Sequence, residues 1–301
     1  MTSWASVRRT LVLAVLLAVV AVVLPPSAAR TTDAALVRVR TGQAVDHPKT
    51  VVWVLCLGSD ARAGESVTRT RADAIQLVGL NLETGSGTVI GIPRDSYVEI
   101  SGHGRDKINA ALYYGGPQLM AEAVGTLVGV RPDYVFTTGF LGFRAMVRAI
   151  GTVTVDSKFA FSDAVRPQGY AVGRNRLNPF QALIFGRIRK PLPDGDFDRS
   201  GNQQELLRSI LRNVRAHRSQ PGFMERGVLA VAKNMDTDLT PAQLFRLAQA
   251  VTVVQPEKLR SCVIGGSTGY AGAASVVFPD VAQARRIGDD ARRDGRLDRG
   301  C

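Results

Sequence analysis

Apolar residues fall in short dense runs separated by turn formers. Residues 51–57 are an almost unbroken apolar run and read as a strand buried on both faces. Gly58 ends it, and Asp60 and Arg62 follow at once. Residues 74–82 form a second such run headed by Asp73, residues 84–87 (Thr-Gly-Ser-Gly) a turn, and residues 88–92 a third strand that runs into Pro93-Arg94-Asp95. Residues 97–100, 134–138 and 152–155 read as further strands, and 259–264 as the last. Helical spacing lies between them. Residues 107–114 predict a short helix closed by Gly115-Gly116, and 117–127 a second. Residues 140–150 predict a helix with Gly151 as C-cap, and 179–189 one with Asn178 as N-cap and Pro179 at its first position. Ser200 is expected to cap a long helix to about Arg218, with Leu206, Leu207, Ile210, Leu211 and Val214 on one face. Two more helices are expected at about 223–234 and 241–253. Residues 156–177 read as loops, 265–272 as a flexible segment, and 289–299, which alternate acid and base, as a solvated helical tail. Interleaved strands and helices predict an α/β fold, a central mixed β-sheet flanked by helices on both faces.

The first residues change the picture of where the chain works. Arg8 and Arg9 precede residues 11–24, which carry no charge, and Pro25-Pro26 and small residues follow. That run is shorter than the roughly 20 residues that span a bilayer comfortably. It suits a signal-peptide core, or a short anchor if its flanks contribute. The arginines put the N-terminal end inside and the bulk of the chain outside. The expected division is 1–29 signal peptide or anchor, 30–50 linker, 51–256 compact domain and 257–301 C-terminal tail. The net charge of +12 calls for an anionic partner. No nucleic-acid module is recognisable, which leaves anionic lipid or an acidic polymer. Cys56 reads as a small buried hydrophobe. No Cys/His cluster suggests zinc. If the chain is exported, Cys262 and Cys301 can pair and pin the terminus; otherwise they are two separate thiols.

Adjacent strands would bring Asp60, Asp73 and Arg94 to one edge of the sheet. Carboxylates beside arginines at such an edge suit a divalent cation, which takes oxygen ligands, and a phosphate, which matches the arginine fork. Arg187 and Arg189 do not share a helical face and can converge only where their helix frays into the following loop. His103, in a glycine loop, reads as solvated.

Taken in order, Gly58-Ser59-Asp60-Ala61-Arg62, Thr70-Arg71-Ala72-Asp73, Ile92-Pro93-Arg94-Asp95, Lys107-Ile108-Asn109, Tyr113-Tyr114-Gly115-Gly116, Arg187-Ile188-Arg189 and Gly195-Asp196-Phe197-Asp198-Arg199 leading to Gln203-Gln204 resemble the LytR–CpsA–Psr proteins of bacterial cell-wall assembly over about residues 51–250. The resemblance implies an extracytoplasmic domain on the outer face of the cell membrane, N-terminally anchored or secreted if cleaved. It implies a phosphotransferase that moves a glycopolymer from a polyprenyl diphosphate carrier to peptidoglycan, with the lipid in an apolar groove beneath the sheet. Carried over residue by residue, Asp60 and Asp73 would coordinate Mg2+. Arg94, Arg187 and Arg189 would hold phosphate oxygens, with Asp95 orienting Arg94. Arg62, Lys107, Arg199 and Gln203 would complete the head-group site. Asn202 stands where the family often has arginine. Asp95 and Asp196 are both open as general base. A polyprenyl diphosphate hydrolase and a non-catalytic lipid- or polymer-binding regulator of wall assembly remain as alternatives.

Overall fold

A computed structural model describes residues 33–42, 50–62, 64–225, 228 and 235–301. The N-terminal segment 1–29 and most of the helix expected at 223–234 lie outside the described residues.

The elements follow in order: β1 (Ala34–Arg38), β2 (Val51–Ser59), β3 (Ala72–Asn81), β4 (Gly87–Gly91), β5 (Tyr97–Ile100), β6 (Gly104–Lys107), α1 (Ala110–Val128), β7 (Tyr134–Thr138), α2 (Phe140–Ile150), β8 (Val153–Ser157) and β9 (Gly173–Leu177). Then come α3 (Pro179–Phe185), α4 (Asp196–His217), β10 (Asp236–Thr237), α5 (Pro241–Val253), β11 (Leu259–Val263), β12 (Gly266–Ala271), β13 (Ala274–Pro279) and α6 (Val281–Ala291). Among the described residues the central sheet has seven strands in the order β10-β1-β7-β2-β3-β4-β11. It is mixed: β2–β3–β4 run antiparallel, whereas β7 lies parallel to β2 and β11 parallel to β4.

The central strand β2 shows why a continuous apolar run was needed. Val51, Trp53, Leu55 and Leu57 face one core, shared with α1 and with Ala284 and Ile287 of α6. Val52 and Val54 face a second core with Leu211 of α4 and Leu244 and Leu247 of α5. Successive strand residues point to opposite faces, so both must be apolar when both are covered. A third cluster, built from Val147, Val153, Val155, Leu177, Phe185 and Leu206, joins α2, α3 and the β8–β9 hairpin to α4.

Several expectations are corrected. Residues 34–38, inside the expected linker, form β1 and pair with β7 across the sheet. The expected tail supplies β11 to the sheet edge, and 266–279 is a regular hairpin rather than a flexible segment. The acid–base stretch is helical only to Ala291. The loop region 156–177 ends in β9, and β6 pairs with β5. Residues 110–128 form one helix broken at Gly116 (φ 67°, ψ −159°), a conformation that glycine adopts freely. Helix α4 begins at Asp196, so Ser200 lies within it instead of capping it. Helix α3 ends at Phe185, before both Arg187 and Arg189.

The C-terminus is fastened to the sheet. Cys262 and Cys301 form a disulfide. Asn81 Nδ2 donates to Asp294 O at 2.7 Å, and Thr88 Oγ1 to Gly295 O at 2.7 Å. The disulfide closes a loop with a sequence separation of 39, so Cys301→Ser is expected to lower stability by about 4 kcal/mol in the chain-entropy account. Chemical denaturation with and without reductant checks this; the variant should be indifferent to reductant.

Candidate active site

Near its start helix α4 meets β3 and β4 through polar contacts, with Leu211 farther along packed in the second core. A Cβ on Gly91 would collide with Ser200 Oγ and lie 2.8 Å from Gln204 Nε2, so only glycine allows this approach. Gln76 Nε2 donates to Ser200 Oγ at 2.9 Å and to Gln203 Oε1 at 3.1 Å. Gln204 Nε2 donates to Cys262 O at 2.8 Å, and Gln203 Nε2 to Gly186 O at 3.0 Å. These bonds hold α4 in register over the sheet and tie it to the end of α3. Gln76 was not singled out by the sequence reading; a glutamine within an apolar strand was the available signal.

Beyond these contacts the sheet offers short side chains. Cys56, Gly58 and Ala74 line a cavity of about 450 Å³, with Phe143 and Met146 of α2 and Leu206 of α4 opposite. Its lining also carries charged and polar side chains, Asp73, Arg94, Asp163, Arg187, Arg199 and Gln203, of which Asp73, Arg94 and Arg199 stand together.

Local structure explains how those groups arrive. Pro93 stops β4, since it cannot continue the ladder. The chain turns with Ser96 N bonded to Pro93 O (3.0 Å) and Asn109 N to Arg94 O (3.2 Å). Arg94 pairs with Asp73 through Nη1. Asp95 gathers three cations: Lys107 Nζ at 3.0 Å, Arg94 Nε at 3.8 Å and Arg189 Nη1 at 3.9 Å. Asp95 thus sits among the arginines as their counter-ion. Arg94 Nε makes no hydrogen bond, leaving a buried donor. Past α3, Arg187 N and Ile188 N both bond Ile184 O, and the buried Ile188 separates the two arginines. The Arg187 guanidinium lies 4.2 Å over the Phe140 ring, a cation–π contact. Arg199 is buried and paired with Asp196.

The electrostatics differ along the cluster. Burial pulls the Arg199 guanidinium below its ordinary value; Asp196 opposes this, and Arg94 nearby adds to it. Burial acts likewise on Arg94, but Asp73 and Asp95 outweigh it and leave Arg94 raised. Both guanidinium groups stay charged at any physiological pH.

Not every expected residue joins the cavity. Asp60 and Arg62 line a second, outer recess with Glu65, Arg69, Arg71 and Tyr113. Asp60 Oδ1 accepts from Arg71 N at 3.1 Å. Asp60 and Asp73 follow the paired strand ends Ser59 and Ala72, but they border different hollows. Asn202 is buried and outside the cavity lining.

The donor set can be tested against a metal. Among the described residues no group of three or more His, Cys, Asp and Glu stands together. A cation held wholly by protein ligands is therefore not what these residues suit. Asp73, with Asp60 beyond the neighbouring strand end, suits a hard cation that keeps its waters and needs only one or two carboxylates.

The LytR_cpsA_psr family model matches residues 22–293. A curated relative from Bacillus anthracis, polyisoprenyl-teichoic acid–peptidoglycan teichoic acid transferase TagU, is 34% identical over 195 residues. The match covers 64% of this chain and 62% of that protein, so the chain spans less than two thirds of the length of the curated relatives it matches. The crystal structure of B. subtilis TagV superposes with a TM-score of 0.69 at 25% identity, covering 83% of this chain and 100% of that one. TagT bound to LIIa-WTA gives 0.68 at 25% identity, covering 85% and 97%.

Cys56 supplies a test of the cavity wall. Burial pushes its thiol up to about 12. At pH 8 only about one molecule in ten thousand then carries the thiolate, the species that alkylates. Iodoacetamide should leave Cys56 unmodified in the native protein and modify it after denaturation, as read by intact mass.

Proposed function

Because the chain belongs to the LytR_cpsA_psr family, we propose that it is a phosphotransferase that moves an anionic glycopolymer from a polyprenyl diphosphate carrier to peptidoglycan. One observation carries this reading: a largely apolar cavity whose lining also holds Asp73, Arg94, Arg187 and Arg199. Its walls accept a hydrocarbon chain, and its charged side chains accept the diphosphate that such a chain carries. Few other ligands need both within one hollow.

The chemistry follows from charge placement. An acceptor hydroxyl attacks the phosphorus that bears the glycopolymer. The phosphoanhydride bond breaks, a phosphodiester to the acceptor forms, the hydroxyl proton passes to solvent, and polyprenyl phosphate departs. Such transfer asks the protein mainly for positioning and neutralisation. Arg94, whose Nε has no hydrogen-bond partner, and Arg187 grip the diphosphate oxygens. Arg199, held on α4, balances the charge that grows on the leaving phosphate. Asp95 keeps Lys107, Arg94 and Arg189 together when no ligand is bound. Mg2+, held by Asp73 with Asp60 as the second candidate ligand, would neutralise phosphate charge when bound. Neither Asp95 nor Asp196 is free of a cationic partner, so neither is assigned as base.

The reaction belongs on the outer face of the cell membrane, where peptidoglycan lies. The Cys262–Cys301 disulfide supports an oxidising compartment. Among the described residues no helix is long and apolar enough to cross a membrane, and the segment expected to anchor the chain lies outside them. Membrane attachment through residues 11–24 is part of the proposal.

Two experiments test the reading. Arg94→Gln should lower turnover of a polyprenyl diphosphate-linked glycopolymer about 10²–10³-fold; wild-type turnover in the variant removes the assigned role. Met146→Trp narrows the apolar wall and should weaken binding of a long-chain polyprenyl phosphate about tenfold. Binding of a short-chain analogue should be spared. Equal loss for both would place the hydrocarbon elsewhere.

A further inference from the structure

The elements that wall the cavity expose apolar side chains to solvent. Val165 lines the cavity and is also 57% exposed, so the hollow reaches the surface at this loop. The loop is a built turn. Asp163 Oδ1 accepts from Val165 N at 3.0 Å and from Arg166 N at 2.9 Å, and Arg166 Nε donates to Gly169 O at 2.8 Å. The Tyr170 hydroxyl donates to Gln181 O at 2.7 Å and so fastens the loop to α3. Turns of this kind favour small polar residues, yet this one holds a valine at the surface. On α2, Leu141 is 53% exposed beside Phe140, which lines the cavity. Leu141, Arg144 and Arg148 are spaced i, i+3 and i+7, so they share one side of that helix. The Arg144 guanidinium lies 5.7 Å over the ring of Phe180 on α3, itself 44% exposed. Single exposed hydrophobic residues need no explanation, but three on the elements that wall one apolar cavity do. Charge accompanies them. Residues 139–192, which carry α2, α3 and this loop, hold nine arginines and lysines against two aspartates, a net +7 of the chain's +12.

We infer that this face seats on a bilayer surface rich in anionic phospholipid, with Leu141, Val165 and Phe180 entering the interface and Arg144, Arg148 and Arg166 meeting lipid phosphates. The inference rests on the carrier reading of the cavity. A polyprenyl chain resides in a bilayer, and it enters an apolar cavity without crossing water only where the opening meets lipid. Seating of such a surface strengthens with the apolar area it buries and with attraction between its basic side chains and anionic headgroups. Charge and apolar exposure together favour lipid over a soluble polyanion. A polymer of phosphates would satisfy the arginines and leave the three apolar side chains in water.

The test uses full-length protein with an environment-sensitive fluorophore attached at Leu141→Cys or, as the control, at Tyr270→Cys on the β12–β13 hairpin. The unsubstituted protein taken through the same labelling is the blank. Each sample is placed in nanodiscs of phosphatidylcholine, alone or mixed with phosphatidylglycerol, and quenching by a nitroxide lipid is read. Quenching at Leu141 should exceed that at Tyr270 and rise with phosphatidylglycerol. Arg148→Gln should lower the ratio of docked to free protein about fivefold. Equal quenching at the two positions overturns the inference, as does quenching indifferent to both phosphatidylglycerol and Arg148→Gln. So does a Leu141 label that responds to soluble poly(glycerol phosphate) in detergent but not to nanodiscs. Binding of a polyprenyl phosphate in detergent is measured in parallel, and its retention shows that the labelled variants are folded. Bound carrier with the Leu141 label left in water removes the docking face alone. Quenching at Leu141 in a protein whose unlabelled form binds no polyprenyl phosphate upholds the docking face and removes the carrier reading instead.

Discussion

The close approach of α4 to β4 at Gly91 governs the site. Because that residue has no side chain, Ser200 and Gln204 reach the sheet, and Gln76 can bridge to Ser200 and Gln203. Polar contacts of this kind are directional and fix register in a way that an apolar seam does not. With the helix fixed there, Arg199 is delivered, buried, beside the Arg94–Asp73 pair. Farther along, the same helix stands off from Cys56, Gly58 and Ala74 and the cavity opens beneath it. One contact therefore sets both the position of the charge and the height of the roof.

The charged cluster is a balance of excess cations. Asp95 faces Lys107, Arg94 and Arg189, and Asp73 and Asp196 each hold one arginine. Burial lowers Arg199 despite Asp196. Such a cluster is incompletely compensated, and an anion with several oxygens relieves it better than any single carboxylate. A diphosphate answers that demand, and its attached hydrocarbon answers the demand of the walls.

The cavity and the outer recess differ in character. The first is largely apolar with guanidinium groups in its lining; the second is open, mixed in charge and bordered by Tyr113.

Local signals in the chain were enough for most elements. Strands 97–100 and 134–138 and helices 140–150 and 241–253 match their expected bounds, because side-chain periodicity and caps such as Thr240 act within a few residues. Of the charged and polar residues singled out, Asp73, Arg94, Arg187, Arg199 and Gln203 line one cavity, whereas Asp95, Lys107 and Arg189 do not, and Asp60 and Arg62 line the outer recess. Strand β1 was missed because its worth lies in pairing with β7, a hundred residues away, and not in its own short apolar run. Asp60 and Asp73 were expected at one edge, and the pairing of Ser59 with Ala72 puts them there. The register shift between Gly58 and Ser59 goes unseen in a linear pattern, and the two acids border separate hollows. The unbroken apolar run told that both faces of β2 are covered, but not how far away the covering helix stands. Whether Cys56 and Ala74 meet packed core or empty space depends on that distance, and it is set by Gly91 and Gln76, on strands that only folding brings beneath α4.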